Sequence, residues 1–304
     1  MRIHLHLVAL VAAAAVGSAI VSAGGSDSPT LDRIQSTHRM RMGYRTDARP
    51  FAYTDPRGEP DGYSVSLCRQ IAEAVQAHLH MSELPIDWIK VSAQEHLDAV
   101  RKGDVDLLCG ASTISLERRK LVAFSIPIFP GGIGALVRAD APARLKNVLS
   151  GRGQPFHPTW RASVVELLQF RAFAAIQGAT SETWLRQRIH DMQIITDVMP
   201  VSTYKDGIDA VLARRADALF GERAILLDAV RTREQKDLLV TDRQFTYEPL
   251  GLVMDRDDEP FRLVVDRTLA QFYAFNHISG LYARWFGEPD DNTIAFFKWS
   301  TVPD

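Results

Sequence analysis

Arg118 stands just beyond a run of small hydroxyl residues, Ser112, Thr113 and Ser115, where the apolar run Val105, Leu107, Leu108 has ended in Gly110 and the charged series Glu117-Arg118-Arg119-Lys120 begins. This order reads as a strand whose C-terminal end opens into a turn of small residues, with a guanidinium facing the same place. Exposed N–H groups beside a planar guanidinium fork form a receptor for a carboxylate, because the fork matches two oxygens at once. A basic residue in the first turn of a helix also opposes the macrodipole, which argues for an anionic partner.

Other residues could join it. Gly178-Ala179-Thr180-Ser181-Glu182 is a strand-to-helix turn, with a hydroxyl at the cap and a Glu three residues on from Ala179. Free N–H groups at such a helix start attract anions. Glu222 lies just past the strand read at Asp217 to Phe220, and an acid buried there without a cation would be costly. Arg45 suits an anionic group better than a basic one. Tyr63 follows a glycine and opens a helix that needs no aromatic for capping. Tyr204, after the Pro200-Val201-Ser202 loop, is a further candidate. No P-loop, zincin motif, nucleophile elbow or metal-spaced His/Cys cluster accompanies these residues. The chain is expected to hold no metal or cofactor and to perform no catalysis.

The elements that must position these residues follow a regular rhythm. Short helix Leu31 to Thr37, strand Met40 to Tyr44, helix Ser64 to Leu79, strand Pro85 to Val91, helix Ala93 to Arg101 and strand Asp104 to Cys109 read as one βαβ lobe. Strand Ala172 to Ile176, helix Thr180 to His190, strand Met192 to Met199, helix Tyr204 to Ala213 and strand Asp217 to Phe220 repeat it. The stretch 141–171 reads as an irregular insertion. Near the end come strand Tyr247 to Asp255 and helices Pro260 to Phe275 and Ile278 to Trp285. The expected architecture is α/β, two lobes with mostly parallel sheets flanked by helices.

Residues 1–23 carry the features of a cleaved export signal: Arg2, an alanine-rich apolar run from Leu7 to Val21, and small residues through Ala23. No later stretch is apolar and long enough to cross a membrane. The net charge is -2 with no basic block, which excludes a nucleic-acid stripe. The two cysteines, Cys68 and Cys109, permit one disulfide in an oxidising compartment; two buried thiols would also fit their apolar surroundings.

The stretch around Arg118 resembles the signature of the family 3 solute-binding proteins, the periplasmic amino-acid receptors of ABC importers. Their pattern reads G-x-T-I-T-x-E-R followed by F-S-x-P-Y, and Thr113, Ile114, Ser115, Glu117, Arg118, Phe124, Ser125 and Pro127 stand at the matching places. The resemblance runs from about Leu31 to Gly287. It is most like the glutamate/aspartate receptors through Gly43 to Tyr53, Asp61 to Cys68 and Ile176 to Leu185.

The resemblance implies a type II periplasmic-binding-protein-like fold. Lobe 1 would comprise 29–128 and 249–304, lobe 2 133–244, with hinges near 128–132 and 244–248. It implies that Arg118 pairs with a ligand's α-carboxylate, helped by Ala111 and Thr113, and that Glu222 pairs with the α-ammonium. Tyr63 would stack on the ligand, and Ala179 and Thr180 would contribute from lobe 2. Arg45 would meet the side chain, with Tyr204 at the same subsite. Where those receptors carry a second arginine this chain has His96, a poorer carboxylate partner when neutral, though a nearby anion would favour its protonated form. Implied partners are a free amino acid, acidic first and amide second, and ABC permease subunits, bound by a periplasmic monomer. An enzyme on the same fold, such as a cyclohexadienyl dehydratase with Glu222 or His96 as acid, and an amino-acid sensor are the rival readings.

Overall fold

The computed structural model describes residues 28–152, 168–169, 171–232 and 236–303. The expected export signal at 1–23, and the part of the insertion at 153–167, lie outside the described residues.

Ser28 accepts from Leu31 N and starts helix α1 (Pro29–Thr37), which leads into strand β1 (Met40–Tyr44). A small antiparallel sheet follows, β2 (Asp47–Ala48), β3 (Ala52–Thr54) and β4 (Pro60–Asp61), then helix α2 (Tyr63–His78). The chain continues through β5 (Ile86–Lys90), α3 (His96–Arg101), β6 (Leu107–Thr113), α4 (Leu116–Arg119), β7 (Ala123–Phe124) and β8 (Phe129–Gly131). Strands β5, β1 and β6 are parallel neighbours, as a strand–helix–strand rhythm requires. The apolar stripe of α2, Val65, Leu67, Cys68, Ile71, Ala72 and Val75, is buried on that sheet. Cys68 on α2 and Cys109 on β6 are joined by a disulfide across this interface, with Cα atoms 6.1 Å apart.

The chain then crosses to a second sheet. Its elements are β9 (Ile133–Arg138), α5 (Ala143–Leu149), β10 (Ala172–Ile176), α6 (Thr180–Asp191), β11 (Asp197–Val201), α7 (Tyr204–Leu212), β12 (Ala218–Glu222), α8 (Arg223–Thr232) and β13 (Leu238–Val240). The strand order is β11, β10, β12, β9, β13; the first three are parallel, and β9 runs antiparallel to both its neighbours. The chain returns as β14 (Glu248–Met254), which lies antiparallel to β6, β7 and β8 and completes the first sheet. Helices α9 (Glu259–Ala274), α10 (His277–Phe286) and α11 (Asp291–Ser300) close that lobe.

The outgoing and returning connections run side by side. Gly131 pairs with Glu248, Ile133 N donates to Thr246 Oγ1 at 3.0 Å, and Gln244 Nε2 donates to Gly131 O at 3.1 Å. The approach is so close that a Cβ on Gly132 would stand 2.0 Å from Thr246 O, so only glycine fits there.

Several expectations shift. The strand read as ending at Cys109 continues to Thr113, because β14 supplies an antiparallel partner as far as Leu250. The stretch from Met192 to Met199 is strand only from Asp197, since α6 runs to Asp191 and Gln193 adopts a left-handed turn. Within the insertion read as irregular, Ala143–Leu149 is helical and buries Leu145 and Leu149.

Candidate functional site

The end of β6 delivers the first lobe's contribution. Ser112 and Thr113 are buried, and Ser115 caps α4 by accepting from Arg118 N at 3.2 Å. That short turn aims Arg118 back across the strand end, where its Nη1 donates to Thr113 O at 3.2 Å. Burial lowers the Arg118 pKa and the carboxylate of Glu248 opposes the shift. The guanidinium is thus desolvated and holds donors in reserve.

The second lobe meets it at the N-terminus of α6. Ala179 occupies the cap position and offers no side-chain acceptor, while Glu182 Oε2 reaches back to accept from Gly178 N at 2.9 Å. Thr180 Oγ1 donates to Glu248 Oε2 at 3.0 Å and lies 3.2 Å from Thr113 Oγ1. A hydroxyl has one proton, so Thr113 donates to Thr180 and Thr180 to Glu248. The Ser181 hydroxyl is buried and has no partner among the described residues.

Glu222 ends β12. Its Oε2 accepts from Gly132 N at 3.1 Å and its Oε1 from Ala224 N at 3.3 Å, and among the described residues no cation forms an ion pair with it. Burial raises its pKa to about 8, with Glu248 adding to the shift and the Ala224 and Gly132 N–H groups resisting it. At that value the carboxyl is mostly protonated at neutral pH. The Tyr204 hydroxyl accepts from Glu222 N at 3.1 Å, and burial pushes that phenol well up.

At the other end, Arg45 Nε and Nη2 donate to Asp47 Oδ1 and Oδ2 at 3.0 and 2.8 Å. The guanidinium sits 5.6 Å from the centre of the Tyr204 ring. His96 Nδ1 lies 2.6 Å from Ala93 O. Burial, then the nearby Arg118, depresses its pKa to about 4, so the ring is neutral. Its surroundings are buried and cationic, and Ala93 O fixes the Nδ1–H tautomer.

One cavity between the lobes is lined by Arg45, His96, Ala111, Thr113, Arg118, Ala179, Thr180, Tyr204 and Glu222, nine of the candidates read from the sequence. Tyr63 is the exception. Its side chain is fully buried in the first lobe, its hydroxyl donates to Ile128 O at 2.7 Å, and its ring packs edge-on against Phe51, Phe129 and Phe286. Gly62, at φ 135°, turns the chain so that this ring enters the core; a Cβ there would stand 2.2 Å from Phe51 O. Ser112 and Ser181, read only as parts of their turns, also line the cavity; sequence reasoning missed Glu248 on its wall and Asp47 behind Arg45. A lone acid at the mouth of the apolar run Leu250 to Met254 was the available signal for Glu248.

Among the described residues, no group of His, Cys, Asp and Glu could hold a metal, and no helix is long and apolar enough to cross a membrane. The lobes touch across the cavity at further places: Asp47 Oδ2 accepts from Tyr204 N at 3.2 Å, and Arg49 pairs with buried Asp228 at 3.1 Å.

Residues 40–288 match the family described as bacterial extracellular solute-binding proteins, family 3. The L-glutamate/L-aspartate-binding protein of Pseudomonas aeruginosa is 28% identical over 95% of this chain and 90% of its own length. The ABC transporter glutamine-binding protein of Bacillus subtilis is 23% identical over 93% of each. Among solved structures, an ancestral amino acid-binding protein described as a precursor of cyclohexadienyl dehydratase superposes with a TM-score of 0.69 and 23% identity, over 84% of this chain and 99% of that one. The fold is the two-lobed α/β fold of the type II periplasmic amino-acid-binding proteins.

Proposed function

The chain belongs to the bacterial extracellular solute-binding proteins of family 3, and from that premise we propose that it captures one free amino acid in the cavity between its lobes and delivers it to an ABC importer. The observation that carries this reading is that Arg118 from one lobe and Glu222 from the other line a single cavity. The two charges common to all free amino acids lie on adjacent groups, and a desolvated guanidinium and a carboxyl with no ion pair among the described residues are their complements. Arg118 receives the α-carboxylate, with Thr113 and the backbone at Ala111 and Ala179 assisting. Glu222 receives the α-ammonium and surrenders its proton as it does so. The side chain extends toward Arg45, His96 and Tyr204, an end suited to an oxygen-bearing group, acid or amide. The relatives that bind glutamate, aspartate and glutamine agree with that class.

In this reading residues 1–23 direct export and are removed. The paired connections near 128–132 and 244–248 serve as the hinge about which the lobes close. A thermal-shift screen over the free amino acids tests the proposal, because a ligand that binds only the folded state raises its melting temperature. A shift from a narrow chemical class is expected; no shift from any amino acid contradicts it.

One observation favours a second reading. A carboxyl that keeps its proton at neutral pH in a closed cavity is equipped to protonate a leaving hydroxyl, so Glu222 would suit a dehydratase of the cyclohexadienyl type. Incubation with prephenate or arogenate separates the readings: turnover supports the enzyme, and its absence beside tight amino-acid binding supports the receptor.

A further inference from the structure

Arg45 is the cation that made an acidic side chain attractive, and the structure gives it a partner from its own chain. Asp47 takes both Nε and Nη2 in a two-pronged contact, at 3.0 and 2.8 Å, with side-chain exposures of 16% for Arg45 and 20% for Asp47. The same carboxylate accepts from Tyr204 N at 3.2 Å, in the first turn of the opposite lobe's α7, whose own cap is Thr203. A carboxylate held by a guanidinium and a helix N-terminus is the arrangement an acidic ligand side chain would otherwise enjoy. Asp47 already has it.

Two further facts bear on what remains. Around the cavity stand two guanidinium groups, Arg45 and Arg118, against the carboxyls of Asp47, Glu222 and Glu248. Each guanidinium on the cavity wall already has an acid acting on it, Asp47 on Arg45 and Glu248 on Arg118, so a side-chain carboxylate at the Arg45 end would meet a cation already matched by Asp47. His96 lines the same cavity. Because a carbonyl oxygen only accepts, the contact of Nδ1 with Ala93 O at 2.6 Å puts the ring proton on Nδ1 and leaves Nε2 as an acceptor. A carboxylate has no proton to offer such an acceptor, whereas a carboxamide NH₂ does. The amide oxygen can still accept from the edge of Arg45 that Asp47 leaves free.

We infer that Asp47 sets the specificity of this site, so that the chain prefers an amino acid with a carboxamide side chain over one with a side-chain carboxylate. The inference rests on the reading that a free amino acid binds with its α-groups at Arg118 and Glu222, and it narrows the side-chain class within that reading. Asp47 acts through Arg45 and is a positioning residue.

Calorimetric titration of the exported protein and its Asp47→Asn variant with glutamine, glutamate, asparagine and aspartate tests it. The unsubstituted protein should bind an amide at least about tenfold more tightly than the matching acid, a difference that one like-charge juxtaposition in a closed site supplies. Asp47→Asn keeps an acceptor for Tyr204 N but removes the charge, and should move the acid-to-amide affinity ratio by roughly tenfold or more toward the acid. In an Arg45→Gln background the same change should leave that ratio nearly constant, which loss of packing alone would not produce. Preference for an acid, for a cationic or apolar amino acid, or an Asp47→Asn ratio equal to the parent's, overturns the inference while leaving the receptor reading intact. Failure of every amino acid to bind overturns the receptor reading, and the inference falls with it.

Discussion

The hydroxyl of Thr113, at the end of the first lobe's β6, lies 3.2 Å from that of Thr180, at the start of the second lobe's α6. This contact joins the two lobes directly over the cavity and passes on to Glu248 through Thr180 Oγ1 at 3.0 Å. Glu248 itself sits on the returning connection, where its Oε1 accepts from Thr246 Oγ1 at 2.8 Å. The cavity wall is therefore tied by hydrogen bonds to the paired connections between the lobes.

Replacing Thr180 by valine should weaken the closed form. It removes two hydrogen bonds and leaves Glu248 short of one donor in a partly buried place, a loss of about 1–3 kcal/mol in the apparent binding free energy. Calorimetry reads this as a weaker affinity, with the melting temperature of the ligand-free protein little altered.

Glu222 should make the ligand-free protein less stable as pH rises. Its pKa is raised from 4.5 to about 8, so the folded state holds a proton that the unfolded state releases. The cost is absent below pH 4.5, grows between the two values and is complete above about 8. Glu222→Gln should flatten that fall and raise stability at pH 8.5 by about 2–3 kcal/mol, a figure discounted for partial exposure. Denaturant titration of both proteins across this range measures it; parallel pH profiles would show that Glu222 is ionised in the empty site.

Reduction of the Cys68–Cys109 disulfide should destabilise the first lobe. The bridge spans a separation of 41 residues, and closing a loop of that size is worth roughly 4 kcal/mol in the chain-entropy model. Thermal melting with and without reductant tests this on exported protein, in which thiol titration after unfolding should find no free cysteine.

What the sequence disclosed depended on whether a residue's role was local. The turn from Thr113 to Arg118 and the Gly178 to Glu182 helix start declare themselves by residue types at fixed spacing, and the apolar stripe of α2 by its period. Tyr63 does not, because an aromatic that opens a helix can face either the cavity or the core. The choice is made by Phe51, Phe129 and Phe286, the last more than two hundred residues away. The extension of β6 through Thr113 likewise depends on β14, a strand from the far end of the chain. His96 could be placed near the site, but its neutrality required burial and the Ala93 carbonyl. Asp47 was hidden for the opposite reason: two residues from Arg45 on the two-residue strand β2, it gave no periodic or capping signal.

The most direct test of amino-acid capture is calorimetric titration of Arg118→Ala beside the unsubstituted protein, using the amino acid that gives the largest thermal shift. Removing one partner of a desolvated charge pair typically costs ~3–5 kcal/mol, two to three decades or more in affinity. The variant should therefore show little or no binding heat while melting close to the parent, because among the described residues the Arg118 side chain makes a single hydrogen bond, to Thr113 O. Near-parental affinity in a folded Arg118→Ala protein would contradict the assignment of the α-carboxylate to this residue, and with it the placement of the ligand between the lobes.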